Sequence, residues 1–237
     1  MQTVILTSLL VGGATMLGAV LGFFIKGRRS SEYMMPLCAG VMLCAAVVGL
    51  IVPSYKDFSS SYGIIITVLG VFSGALFLTF IERIVPGVDS LLGNGRECSA
   101  LFVIAIAVHN FPEGLAAGVS FGTGSLKSAL FIASGIALQN IPEGMVIISP
   151  MLKSGLSRKR TLFYALLTGV IEIIGTLIGY FLIGVANAIL PFALAFAGGT
   201  MLYVINNEMI PQGSKTELGT YLLLLGFAIM LILDAVL

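Results

Sequence analysis

Glu113, Glu143 and Glu172 are carboxylates set inside stretches of sequence that otherwise read as hydrocarbon, and the first two stand in matched settings. The segment IAVHNFPEG at 106–114 recurs as IALQNIPEG at 136–144, thirty residues further on. On a helix, residues three and four apart share a face. His109, the only histidine, therefore falls in one row with Glu113, and Asn110 reaches the same carboxylate from the adjoining row; Gln139, Asn140 and Glu143 repeat the arrangement. Each copy also holds a proline. Pro112 and Pro142 carry no amide proton, so the carbonyls of Val108 and Leu138, four residues earlier, lose their helical donors. Inside a bilayer that loss is tolerated where protein, water or an ion satisfies the oxygen again. Two kinked, adjacent helices with facing carboxylates describe a polar cavity at mid-depth.

Polar side chains within a membrane can also serve only as hydrogen bonds between helices. Each ionised carboxylate at the centre of a span, however, costs about 2.5–3.5 kcal/mol even on a lenient insertion scale. Two such costs in symmetric positions are hard to explain by packing. Glu172 adds a third, with Thr168 and Thr176 one turn to either side in an otherwise apolar segment. No Lys or Arg falls at that depth, so the compensating cation is expected to be a metal ion rather than protein. One imidazole with carboxylate and amide oxygens suits a first-row divalent ion, zinc first, with iron or manganese as further candidates; Cu(I) would want thiolate or thioether. Histidine must be neutral to bind, so affinity should fall on acidification.

Elements of one kind must position these residues. Of the 237 residues 58% are hydrophobic and 10% charged, with a mean hydropathy of +1.09. That balance points to an all-α, multi-pass membrane protein. A span takes roughly 20 apolar residues, and breaks rich in Gly, Pro, Ser and Asn divide the chain into spans near 2–25, 34–53, 63–85, 98–121, 126–150, 160–185, 189–208 and 217–236. The whole chain, 1–237, is then one transmembrane transporter domain. The first span resembles a signal peptide only superficially, because its positive charge follows the apolar run as KGRR. The two motifs fall near the middle of spans 4 and 5, on antiparallel neighbours.

Charge fixes an expected orientation, since Lys and Arg concentrate in short cytoplasmic loops. Lys26, Arg28, Arg29, Arg83, Arg96, Lys153, Arg158, Lys159, Arg160 and Lys215 lie in or beside the odd-numbered connections, against Lys56 and Lys127 in the even-numbered ones. Both termini should lie outside. Gly18 with Gly22, and Gly175 with Gly179, form GxxxG pairs suited to close helix packing. A net charge of +1 and the lack of a basic, aromatic-interleaved cluster argue against nucleic acid. Cys38, Cys44 and Cys98 show no metal or disulfide spacing and read as small buried residues.

On HNFPEG in span 4, QNIPEG in span 5, Glu172 in span 6 and the eight-span plan, the chain resembles the ZIP family of divalent metal transporters, in its GufA-like branch. The resemblance implies a 3+2+3 arrangement, with spans 1–3 related to 6–8 by an inverted repeat about spans 4 and 5. It implies uptake of zinc and related ions (iron, manganese, cadmium, cobalt) into the cytoplasm without ATP or a prosthetic group, commonly by homodimers. An elevator-like motion of spans 1, 4, 5 and 6 against the others is expected with it. Carried over residue by residue, one ion would meet His109, Glu113, Gln139 and Glu143. A second would meet Asn110, Glu113, Asn140, Glu143 and Glu172, with the two glutamates bridging. Met42 and Glu208 match positions along the transport pathway, although Met42 reads equally as packed core and Glu208 as interfacial. Asn140 is neutral where some relatives carry aspartate, which weakens the second position. The connection between spans 3 and 4 holds no histidine, so no metal-sensing loop is expected.

Other classes fit less well. An intramembrane metalloprotease needs the two histidines of HExxH, and one exists. GTGSLKS at 122–128 lacks the glycine before lysine that a phosphate loop requires. A secondary carrier of protons or organic solutes could use the same carboxylates and broken helices and stays open on the residues alone. The compact plan suits a prokaryotic inner membrane.

Overall fold

The computed structural model describes residues 1–24, 28–56, 62–84, 110–153, 156–185, 189–213 and 216–236. Their regular structure is helical throughout, in eight helices: α1 (Gln2–Gly22), α2 (28–56), α3 (Gly63–Ile84), α4 (110–119), α5 (Leu126–Lys153), α6 (Arg158–Val185), α7 (190–213) and α8 (Glu217–Val236). Six of them, all but α4 and α5, are long and apolar enough to cross a bilayer. The remaining two carry the polar motifs, and the residues ahead of Asn110 that would complete span 4 lie outside the described set.

The observed helices follow the expected spans with two extensions. The polar turn RRSSEY, read as a connection, is already helical and opens α2, while α7 runs on to residue 213. Charged and polar side chains have adequate helix propensity once an apolar continuation is available to pack. Both helices share a further irregularity. A π-helical turn interrupts α2 at Ala45–Ile51 and α7 at Ile205–Met209, and in each case a proline, Pro53 or Pro211, stands two residues beyond. Proline withholds the N–H that the carbonyl four residues back would accept, and wider hydrogen bonding over the preceding turn is one way for a helix to continue through it.

Glycine sets where helix backbones touch. A Cβ at Gly18 would overlap the Ile141 carbonyl, one at Gly22 would meet the backbone of Met145, and one at Gly144 the carbonyl of Thr15; α1 therefore lies directly on α5. Gly12 and Gly169 bring α1 equally close to α6, and Gly175 and Gly179 seat α6 on the Phe111 and Leu115 carbonyls of α4. Both GxxxG pairs thus do what their spacing suggests. In the same way α3 meets α7 through Gly74 and Gly199, and α2 meets α8 through Gly40 and Gly226. Contacts of α2 with α5 are different in kind: Gly49 faces the side chains of Ile132 and Phe131. Most of the largest core cluster, including Met42, Ala45, Ala116, Ile132, Ala133 and Leu194, fills the space among α2, α4, α5 and α7. Outward faces are apolar, with Leu69, Phe72, Leu76 and Phe80 of α3 and Tyr221, Leu224 and Ile232 of α8 exposed.

Candidate metal centre

Four helices bring polar side chains together inside this apolar body. From α4 come Asn110 and Glu113, from α5 Gln139 and Asn140, from α6 Glu172 and from α1 Thr15; all are buried, with Gln139, Asn140 and Glu172 at 0% exposure. Glu143, one turn beyond Gln139, is half-buried. His109 and Val108 lie outside the described residues, as does the side chain of Glu208.

The hydrogen bonds sort these groups. Gln139 Nε2 donates to Glu113 Oε1 at 2.9 Å, joining α5 to α4. Asn140 Nδ2 donates to Glu172 Oε1 and also to the Val11 carbonyl at 3.2 Å, joining α5 to α6 and α1. Thr15 Oγ1 donates to Glu172 Oε2 at 2.6 Å. Asn110 is a further hydrogen-bonding neighbour of Glu172, and the charge of Glu143 reaches the same carboxylate. Among the described residues no cation stands beside Glu143 or Glu172.

An ionised carboxylate can only accept, so each amide turns its NH2 toward a carboxylate and is left with its oxygen. Asn110 Oδ1, Gln139 Oε1 and Asn140 Oδ1 are buried and receive no hydrogen bond among the described residues. A buried acceptor without a donor costs on the order of 1–3 kcal/mol, and three in one place require a common explanation. A cation supplies it, because carboxylate and amide oxygens are the ligands hard and borderline divalent ions take. Among the described residues no three His, Cys, Asp or Glu side chains close on one point; Glu113 and Glu172 each take an amide donor instead.

The family described as ZIP Zinc transporter matches residues 87–234 of this chain. The chain belongs to the ZIP family. It is similar to the zinc transporter GufA of Myxococcus xanthus, 41% identical over 174 residues that make up 70% of this chain and 68% of the relative. It is also similar to the zinc transporter ZIPB of Bordetella bronchiseptica, 32% identical over 244 residues, covering 94% of this chain and 78% of that one. The human zinc transporter ZIP11 is 40% identical over 151 residues, 60% of this chain and 44% of its own. The ZIP chain is accordingly a multi-pass membrane transporter and not an enzyme.

Not every residue of this ZIP chain singled out from sequence sits as expected. Thr168 and Thr176 are buried but give their hydroxyls to their own helix, to the Ala165 carbonyl at 2.8 Å and the Glu172 carbonyl at 3.1 Å, so they add no polar group to the centre. Met42 is fully buried in the core cluster, and Glu208 falls in the π-helical turn of α7. Cys38 and Cys44 are buried free thiols, whereas Cys98 lies outside the described residues. Cys38 is closer to the centre than its spacing suggested: its thiol donates to the Gln139 carbonyl at 3.8 Å, and the charges of Glu143 and Glu113 reach it. Thr15 went unnoticed altogether. Its only signal is a stripe of small and hydroxyl residues on α1, in which Ser8, Gly12, Thr15 and Gly18 recur at helical spacing and are buried.

Proposed function

We propose that this ZIP protein carries divalent transition-metal ions, zinc foremost, through the centre formed by α4, α5 and α6, and delivers them to the cytoplasm. The observation that carries the reading is the set of three donorless amide oxygens, Asn110 Oδ1, Gln139 Oε1 and Asn140 Oδ1, on side chains that hydrogen-bond the carboxylates of Glu113 and Glu172. His109, Glu113, Gln139 and Glu143 form the tighter position; Asn110, Asn140 and Glu172 extend it to a second, with Glu113 and Glu143 shared. The imidazole selects borderline ions, so iron, manganese, cobalt and cadmium accompany zinc as candidate substrates. The relatives named as zinc transporters support zinc.

Transport proceeds by alternating access, with α1, α4, α5 and α6 moving as one body against α2, α3, α7 and α8. Packing supports this division. The helices of the first group interlock backbone to backbone at glycines, as do α2 with α8 and α3 with α7 in the second, whereas Gly49 of α2 meets α5 only through side chains. A surface of side chains can slide and repack; an interlocked pair of backbones cannot. The pairings α3 with α7 and α2 with α8, together with the matched π turns of α2 and α7, support an inverted 3+2+3 repeat. Loop charge supports an orientation with both termini outside; the protein sits in a prokaryotic inner membrane, and two copies associate as a homodimer.

Purified protein in liposomes should pass zinc down its gradient without ATP, and Glu113→Ala should abolish the flux by removing the shared charge. Passage of organic solutes or protons with no divalent metal would refute the proposal, as would normal zinc flux in the variant.

A further inference from the structure

Helical Ser and Thr hydroxyls in an apolar setting usually bond the carbonyl three or four residues back. Thr67, Thr79, Thr168, Thr176 and Thr200 all do so here. Thr15 does not. Buried at 2% exposure, it gives its hydroxyl instead to a carboxylate 157 residues away, Glu172 Oε2 on α6. One turn earlier on the same face, the Val11 carbonyl takes the Asn140 amide that also holds Glu172 Oε1. A single turn of α1 thus supplies one of the donors that hold Glu172 and anchors another.

The backbone is built for this reach. Gly12 lies against Gly169 of α6 three residues before Thr15, and Gly144 of α5 lies against the carbonyl of Thr15 itself. These close approaches bring α1 near enough for a side chain as short as threonine to meet the carboxylate. With donors arriving from α1, α5 and α4, the plane of the Glu172 carboxylate is fixed, and three donors on its roughly four lone-pair sites leave one for an ion.

The geometry points to Thr15 as a positioning residue of the transport centre: it touches no ion, but orients Glu172 so that this carboxylate can take one. This role rests on the metal-transport reading above. Partners that orient a ligand typically contribute about 10–100-fold to metal affinity.

The experiment compares wild type, Thr15→Val, which keeps the shape and removes the hydroxyl, and Thr15→Ser, which keeps the hydroxyl. Zinc affinity is titrated on detergent-purified protein, and KM and kcat for zinc are measured in liposomes. Thr15→Val should weaken affinity and raise KM about tenfold, with the smaller change in kcat, and Thr15→Ser should restore wild-type values. In a Glu172→Gln background Thr15→Val should add nothing further, since the two act through one interaction. Wild-type affinity in Thr15→Val, equal loss in Thr15→Ser, or an additive loss in the double variant would each overturn the role. Zinc binding by wild-type protein without zinc flux would sink the transport reading while the titrations still judged Thr15; no zinc binding at all would overturn both.

Discussion

At the residue scale the centre depends on amides as much as on acids. Gln139 and Asn140 each spend their NH2 on a carboxylate, which gives each buried acid a donor and leaves the amide oxygens for an ion. Their contributions should still differ. His109 brings the one nitrogen ligand, whereas Asn140 is anchored to Val11 and Glu172 whether or not an ion is present. His109→Ala is therefore expected to weaken zinc binding more than Asn140→Ala in an equilibrium titration, and the reverse order would reassign the tighter position. The motif residues were legible in the sequence because they occur twice, at a displacement of one span plus one short loop. Thr15 was not, because a stripe of small and hydroxyl residues on an apolar helix reads equally as close packing. Its meaning lies in a partner that only the fold brings close.

At the scale of elements, eight helices follow from hydropathy alone, and the GxxxG pairs of α1 and α6 predicted tight crossings that the structure contains. Their targets were hidden, since spacing says that a helix has a flat face but not which carbonyl will rest on it. The two kinds of glycine contact should separate in their response to substitution. Gly144→Ala places a methyl against the backbone of Thr15 and Ala19, which cannot turn aside, whereas Gly135→Ala meets the end of the Met230 side chain, which can. Thermal unfolding in detergent should show Gly144→Ala destabilised by about 1–3 kcal/mol and Gly135→Ala near wild type. The π turns of α2 and α7 were likewise invisible beforehand: Pro53 and Pro211 announced an interruption, but whether a helix kinks, breaks or widens at proline is decided by what packs around it.

At the scale of the whole molecule, the residues proposed to hold metal and the helices proposed to stay still belong to different packing groups. A test follows from locking them together. In protein freed of its native cysteines, a cysteine at Gly49 and one at Ile132, which face each other across α2 and α5, should stop zinc flux when bridged by a short bifunctional thiol reagent. A bridge between positions 51 and 198, where α2 meets α7 within one group and Gly198 faces the Ile51 side chain, should leave flux intact. Equal loss from both bridges would show that the whole bundle must flex and that no rigid division exists. The pairing of glycine crossings that motivates this test could not be read from one chain of letters, because it depends on which of many compatible helix faces meet.

The π turns at Ala45–Ile51 and Ile205–Met209 also bear on how such a chain can change length over generations. Each is a place where the helix carries one residue more than regular winding needs. Loss of a single residue there would tighten the turn to ordinary α geometry and leave both flanks facing their present neighbours. The same loss anywhere else along α2 or α7 would rotate everything beyond it by about 100°, turning packed faces out to the lipid. In these two helices, then, the tolerance for a one-codon deletion is concentrated in the turns just ahead of Pro53 and Pro211.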